Sequence, residues 1–202
     1  PVAHGRLVRA RRRRRPAGME ASDLDAIVLA TLSPDHCFPG TGVFLQRALG
    51  VPGIPAIDLR AQCSGFLYGL AVADAFIRAG PYRTVLLVGV EIQSTGLDLS
   101  TRGRDMAVLF GDGAGAAVLA ATDEEDRGVL STHLHADGRH AEVLWTEFGS
   151  SAHHPRLDPD MLAQGRHFPT MEGREVFRHA VARMPEVAEE ALATHGLEAA
   201  DI

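Results

Sequence analysis

The residues of this chain that could do covalent or ligand chemistry are two cysteines, Cys37 and Cys63, ten histidines, and the glycine-rich turn Gly111 to Gly115. Cys63 stands in Asp58-Leu59-Arg60-Ala61-Gln62-Cys63-Ser64-Gly65-Phe66, at the predicted join between a short apolar strand and a long helix. A cysteine there meets the positive end of the helix dipole, where unpaired backbone N–H groups favour thiolate over thiol. The same N–H groups could hold the oxyanion of an acyl intermediate. The alternative reading is a small thiol packed against a sheet, a common fate for cysteine. Cys37 lies in a proline-containing loop with no helix behind it and reads as structural. Six of the histidines fall between His133 and His167, but the close pairs are His133/His135 and His153/His154. With no third ligand at useful spacing, no metal site is expected.

The elements that would position these groups alternate between strand and helix. The apolar run Ala26 to Ala30, within Leu24 to Thr31, predicts a strand covered on both faces. A loop follows at Ser33-Pro34-Asp35 and continues to Gly42. Val43 to Leu49 has helical spacing and stops at Gly50, and Ala56 to Leu59 reads as a second strand. Cys63 to Ala79 predicts a long helix with Phe66, Leu67, Leu70, Ala73 and Ile77 on its apolar face, ended by Gly80-Pro81. Thr84 to Glu91 is the next buried strand. Met106 to Phe110 and Ala114 to Ala120 flank Gly111-Asp112-Gly113 and predict a hairpin or strand pair. Gly128 to Leu134 predicts a further strand. Glu172 to Gly196 returns to helix, with Val176, Phe177, Ala180, Val181, Met184, Val187, Ala188, Ala191 and Leu192 on one face and a kink or interruption at Pro185. This order implies a layered α/β fold.

Composition bounds the function. With 46% hydrophobic and 23% charged residues over 202 positions, a sizeable core can be buried. No apolar stretch approaches the roughly 20 residues of a membrane span, and no signal-peptide core follows the basic start, so a cytoplasmic location is expected. Residues 1–20 hold seven arginines against one acid, net +6, which leaves −12 for 21–202 in a chain of net −6. The run Arg11 to Arg15 has no apolar periodicity and reads as a disordered arm: a flexible tail, a misplaced gene start with Met19 as the true beginning, or a basic cluster that binds phosphate backbones or addresses a nucleus. No aromatics interleave with it and the acidic body would repel nucleic acid, so neither a nucleic acid nor a membrane is an expected partner.

Four ordered blocks give the chain a family resemblance. Ala61-Gln62-Cys63-Ser64-Gly65-Phe66-Leu67-Tyr68-Gly69-Leu70, followed by Ala73 to Gly80, resembles the nucleophile segment of the β-ketoacyl-[acyl-carrier-protein] synthase III family, within the thiolase-like superfamily. Ser33-Pro34-Asp35 with Phe38-Pro39 resembles its dimer-contact loop, Val108 to Ala116 its glycine-rich hairpin, and Met171-Glu172-Gly173-Arg174-Glu175-Val176-Phe177 the opening of its second half. The resemblance implies a thiolase-like layered α/β fold comprising most of the first half and the start of the second, truncated at both ends relative to the family. The expected divisions are an arm at 1–20, the first half at 21–122, a connector at 123–170 and the start of the second half at 171–202.

The chemistry the resemblance implies is acyl transfer from an acyl-coenzyme A primer to Cys63, then decarboxylative condensation with malonyl-acyl-carrier protein. The coenzyme A thioester is a substrate and no cofactor is implied. Gly111, Gly113 and Gly115 would let backbone approach the acyl group, and Phe38 would cross a homodimer interface to close the partner's acyl pocket. Met171, Gly173 and Phe177 would line the pantetheine channel. Arg102, aligned from Cys63, and Arg104, aligned from Phe110, compete for the coenzyme-binding role. The family's His-Gln-Ala-Asn and Gly-Asn-Thr-Ser motifs, which supply its activating histidine and asparagine, have no counterpart in the sequence. An acylation-only or non-catalytic member of the family is therefore the alternative.

Overall fold

The computed structural model describes residues 8–11, 19–124 and 127–202, which form two compact units. One comprises the described residues within 1–91 and 113–134, the other 92–112 and 135–202. Both are discontinuous in sequence. Thus 92–112, expected within the first half, groups with the later segment.

The first unit is built on a five-stranded sheet. Its strands are β1 (Val8–Arg11), β2 (Ala26–Ala30), β3 (Ala56–Leu59), β4 (Thr84–Glu91) and β5 (Gly113–Ala121), in the order β1-β5-β4-β2-β3. β2 runs parallel to both β3 and β4, in register Val28 with Ile57 and Val28 with Leu87. β4 and β5 are antiparallel from Thr84–Ala120 to Glu91–Gly113. All five residues of β2 are buried, as a parallel strand covered on both faces requires. Ile27, Leu29, Leu87 and Leu119 are the largest of the fully buried side chains, each contributing about 1.5–3 kcal/mol by burial.

Two helices complete this unit, α1 (Thr41–Leu49) and α2 (Gly65–Ala79). Gly50 and Gly80 end them in the left-handed conformation, at φ of 70° and 92°, where a side chain would be strained. The Asp58 carboxylate on β3 accepts from Gly42 N–H at 3.0 and 3.1 Å, supplying negative charge at the start of α1. The buried residues of α2 are Gly65, Gly69, Ala73 and Ile77. Phe66 and Leu67, expected on the packed face, are exposed, because the helix turns its small residues toward the sheet.

The second unit holds α3 (Arg104–Ala107), β6 (Leu144–Trp145), α4 (Pro159–Ala163), β7 (Thr170–Met171) and α5 (Gly173–Thr194). β6 and β7 make an antiparallel ribbon pairing Leu144 with Met171. Asp158 caps α4 by accepting from Asp160 and Met161 N–H at 2.9 and 3.0 Å, with Pro159 in the first turn where its missing donor costs nothing. The stretch 123–170, expected as a connector, carries the short elements β6 and α4.

Four other expectations are corrected. Residues 8–11 of the arm form a strand on β5, in register Val8 with Ala121, since main-chain pairing along an open edge does not depend on side-chain character. The remaining arm residues up to 18 lie outside the described residues. Met106 to Phe110 is helical turn rather than strand: Val108 N–H donates to Arg104 and Phe110 N–H to Met106, each at 3.2 Å. No hairpin forms there, because Asp112 accepts from Ser94 N–H and hydroxyl at 2.8 and 2.7 Å and fixes the turn to a different segment. Gly128 to Leu134 is not a strand, since β1 occupies the outer edge of β5 and Val129 C=O accepts from Arg78 instead, at 2.8 Å. Finally, of the kink or interruption expected at Pro185, the interruption does not occur: α5 continues through the proline, which removes one donor from a helix of 22 residues. Among the described residues, no helix is long and apolar enough to cross a membrane.

Candidate active site

In the first unit the loops that leave the carboxyl ends of the parallel strands carry the candidate nucleophile and Phe38. Ligands of open α/β sheets bind outside these strand ends. After β3 the chain makes a 3-10 turn, Gln62–Ser64, and enters α2 at Gly65. Cys63 is the middle residue of that turn and is exposed, which removes the packed-thiol reading. Gln62 takes φ of +46°, the left-handed region, and it is the one non-glycine residue with positive φ among the described residues. A side chain held there costs of order 1–3 kcal/mol, and such strain clusters where a reactive group must be presented. The turn thus raises Cys63 above the first turn of a 15-residue helix, whose leading N–H groups have no acceptor within the helix.

The surrounding strand ends are fixed by acidic residues that stand out within apolar strands. Glu91, last in β4, accepts from the Ser33 hydroxyl at 2.6 Å and from Leu32 N–H at 2.9 Å, which ties the loop after β2 to the neighbouring strand. Asp58 does the same for α1. Neither was singled out as a site residue from sequence, although a lone carboxylate in an apolar strand was the available signal. Beyond Ser33 the loop carries Phe38, 90% exposed, and Cys37, which is exposed rather than packed.

Gly113 and Gly115 open β5 opposite Glu91 and Gly89. A Cβ at either, or at Gly111 in the second unit, would meet nothing within 4 Å, so packing within the chain does not demand these glycines. Gly89 differs: a Cβ there would lie 3.2 Å from the Phe66 ring.

The remaining site residues lie in the second unit. Met171 ends β7, and Gly173 opens α5 so closely that a Cβ on it would be 3.6 Å from Met171 Cε. Phe177 is one turn further along α5 and 70% exposed. These three are thereby brought together. The two arginines differ in their surroundings. Arg102 donates to Asp98 at 2.6 Å and to Gln164 C=O at 3.3 Å, and a Cβ on Gly165 would collide with its guanidinium. Arg104 opens α3 with its side chain exposed. Asp98 is held down to about 2, first by the hydrogen bond from Ser100 and then by Arg102.

A parallel-centred sheet with a strained cysteine turn leading into a helix defines this as a thiolase-like fold. The sequence pattern described as 3-Oxoacyl-[acyl-carrier-protein (ACP)] synthase III matches residues 57–138. The β-ketoacyl-[acyl-carrier-protein] synthase III of Rhodospirillum rubrum is 51% identical over 188 residues, 91% of this chain and 54% of that protein. The crystal structure of the 3-oxoacyl-[acyl-carrier-protein] synthase III of Aquifex aeolicus matches with a TM-score of 0.76 at 36% identity, covering 90% of this chain and 53% of that one. The priming β-ketosynthase of the R1128 polyketide biosynthetic pathway matches with a TM-score of 0.80 at 33% identity, covering 92% and 53%. The chain belongs to the β-ketoacyl-[acyl-carrier-protein] synthase III family. It spans about half the length of the curated relatives it matches.

Proposed function

We propose that this chain carries the acyl-transfer half of a priming condensation in fatty-acid or polyketide synthesis, with Cys63 as the nucleophile. The thiolate would attack the carbonyl of an acyl-coenzyme A, and the tetrahedral intermediate would expel the coenzyme A thiolate to leave an acyl-Cys63 thioester. The backbone N–H of Cys63 is the natural first donor to the oxyanion. In the whole enzyme, malonyl-acyl-carrier protein then loses carbon dioxide, and its carbanion attacks the thioester, releasing a β-ketoacyl product and the Cys63 thiolate. The observation that carries this reading is the exposed Cys63 on a left-handed Gln62 turn in front of α2.

The other residues follow as parts of that reading. Gly113 and Gly115 keep backbone bare beside the acyl group, and Gly111 does so in the turn before them. Met171, Gly173 and Phe177 line the pantetheine channel. Arg104 takes the coenzyme phosphate in preference to Arg102, whose guanidinium Asp98 already holds. Phe38, with its ring almost wholly exposed, is placed to cross to a second copy of the chain.

A narrower reading confines the chain to acylation. On that reading Cys63 is acylated and condensation does not follow. Mass spectrometry of the chain after brief exposure to acyl-coenzyme A, then to malonyl-acyl-carrier protein, distinguishes the two. Acyl mass on the Cys63 peptide supports the nucleophile, and its loss as β-ketoacyl product supports the full reaction. No acylation at Cys63 overturns both.

A further inference from the structure

We propose that His140, Glu175 and His179 form a binding site for a divalent transition metal of the zinc class, separate from the acyl-transfer residues. Their ligand atoms all lie within 4.8 Å of one another. The sequence hides this grouping, because one histidine is distant along the chain and pairs of neighbouring histidines point elsewhere.

The fold brings them together for an identifiable reason. The β6–β7 ribbon pairs Leu144 with Met171, and Glu172 N–H donates to Val143 C=O at 2.8 Å, extending the pairing beyond the ribbon. The 3-10 stretch Gly138–Val143 is therefore held against the first turns of α5. Glu175 and His179 are four residues apart on that helix and share one face. His140 faces them, its ring centroid 4.2 Å from that of His179.

The donor set defines the ion. Two imidazoles and one carboxylate suit zinc, nickel or copper, whereas magnesium and calcium prefer all-oxygen sites. Zinc bonds of about 2.0–2.2 Å put tetrahedral ligands roughly 3.3 Å apart. His179 Nε2 and Glu175 Oε1 are already 3.0 Å apart. All three side chains are about one-third exposed, so each has freedom to close the remaining distance, and solvent can occupy the fourth position. Asp137 Oδ2, which accepts from Arg139 at 2.6 Å, lies 3.8 Å from His140 Nε2 and adds negative charge near that ring. Arg178 competes, since it donates to the same Glu175 oxygen. A bound ion would displace that guanidinium to solvent, where most of it already lies.

Calorimetric titration of the full chain with zinc chloride in chelator-free buffer tests the site. One ion per chain should bind in the micromolar range, magnesium chloride should give no binding, and zinc should raise the thermal midpoint. His140→Ala and His179→Ala should each weaken binding on the order of 100-fold, and Glu175→Gln about tenfold, judged against the 10- to 100-fold cost of losing even outer partners. Replacing His133 and His135 by alanine should leave binding unchanged. In the unaltered chain, zinc should shift the imidazole nitrogen resonances of His140 and His179, a readout that needs no variant to fold. Absence of zinc binding at millimolar ion, undisturbed His140 and His179 resonances, or equal affinity after loss of both histidines would overturn the site.

Discussion

Gly69 of α2 lies so close to Leu87 of β4 that a Cβ built on the glycine would be 2.5 Å from Leu87 Cδ1. Leu87 is fully buried, so its side chain has nowhere to retreat. One turn earlier, a Cβ on Gly65 would come within 3.0 Å of Ala30 Cβ. The start of α2, and with it the Cys63 turn, therefore sits at a height above the sheet that only glycine permits. Gly69→Ala should lower stability by about 1–2 kcal/mol, the overpacking cost outweighing a helix-propensity gain of about 1 kcal/mol. Gly113→Ala meets open space and should leave stability within about 0.5 kcal/mol. Urea unfolding of the two variants gives the contrast, and equal midpoints would show that α2 can lift without penalty.

Cys63 should be alkylated and acylated before Cys37. Both thiols are exposed, so access does not separate them. What differs is the helix: Cys63 stands two residues before α2, in the turn that leads directly into it, whereas Cys37 stands four residues before α1, whose Gly42 N–H already donates to Asp58. Peptide mass spectrometry after brief iodoacetamide treatment should find label on Cys63 first, and earlier labelling of Cys37 would remove the helix terminus from the explanation.

Apolar runs and glycine stops made β2, β3 and β4 legible in the sequence to the residue, along with the ends of α1 and α2, because short apolar runs bounded by turns suit strands, β2 being buried throughout, and left-handed caps leave few alternatives. The place of Cys63 between strand and helix was legible, and the partners proposed for it rest on the resemblance of the family blocks. Other features depended on contacts between distant residues. The 106–110 run looked like a strand until the Asp112 bonds to Ser94 turned the chain. Phe66 and Leu67 looked like core because apolar side chains usually are, whereas α2 packs through its glycines. No local signal joined His140 to Glu175 and His179, which the β6–β7 register brings together.

Asp98 gives the second unit an acid-sensitive element. Its folded-state value of about 2, against 3.8 for an unperturbed carboxyl, comes from Ser100 donors first and Arg102 second. A depressed folded value contributes stability that is present above the unfolded value and is lost as pH falls from about 4 through about 2. Arg102→Ala removes one of the groups holding the value down, so acid unfolding should begin at higher pH than in the parent, as circular dichroism during acid titration would record. Arg104→Ala should leave that titration unchanged and instead raise KM for acyl-coenzyme A, because its exposed guanidinium is the one assigned to the coenzyme phosphate. An acid titration shifted by Arg104→Ala and unmoved by Arg102→Ala would reverse the assignment.

Phe38→Ala should shift primer preference toward longer acyl chains while leaving the rate of Cys63 alkylation unchanged. Glu91 fixes the loop through Ser33 and Leu32, yet the ring of Phe38 remains 90% exposed, as the proposed contact with a second copy requires. In the proposed dimer that ring closes the partner's acyl pocket, at a distance from the sulfur. Replacing it by alanine would leave room for further methylenes, each contributing about 0.8 kcal/mol on burial, or roughly a fourfold preference per carbon. Competition between primers of increasing length, with dimer content followed by sedimentation, reads both effects. An unchanged chain-length profile in a variant that still dimerises would place Phe38 outside the pocket, and a monomeric variant with an unchanged profile would restrict its role to the interface.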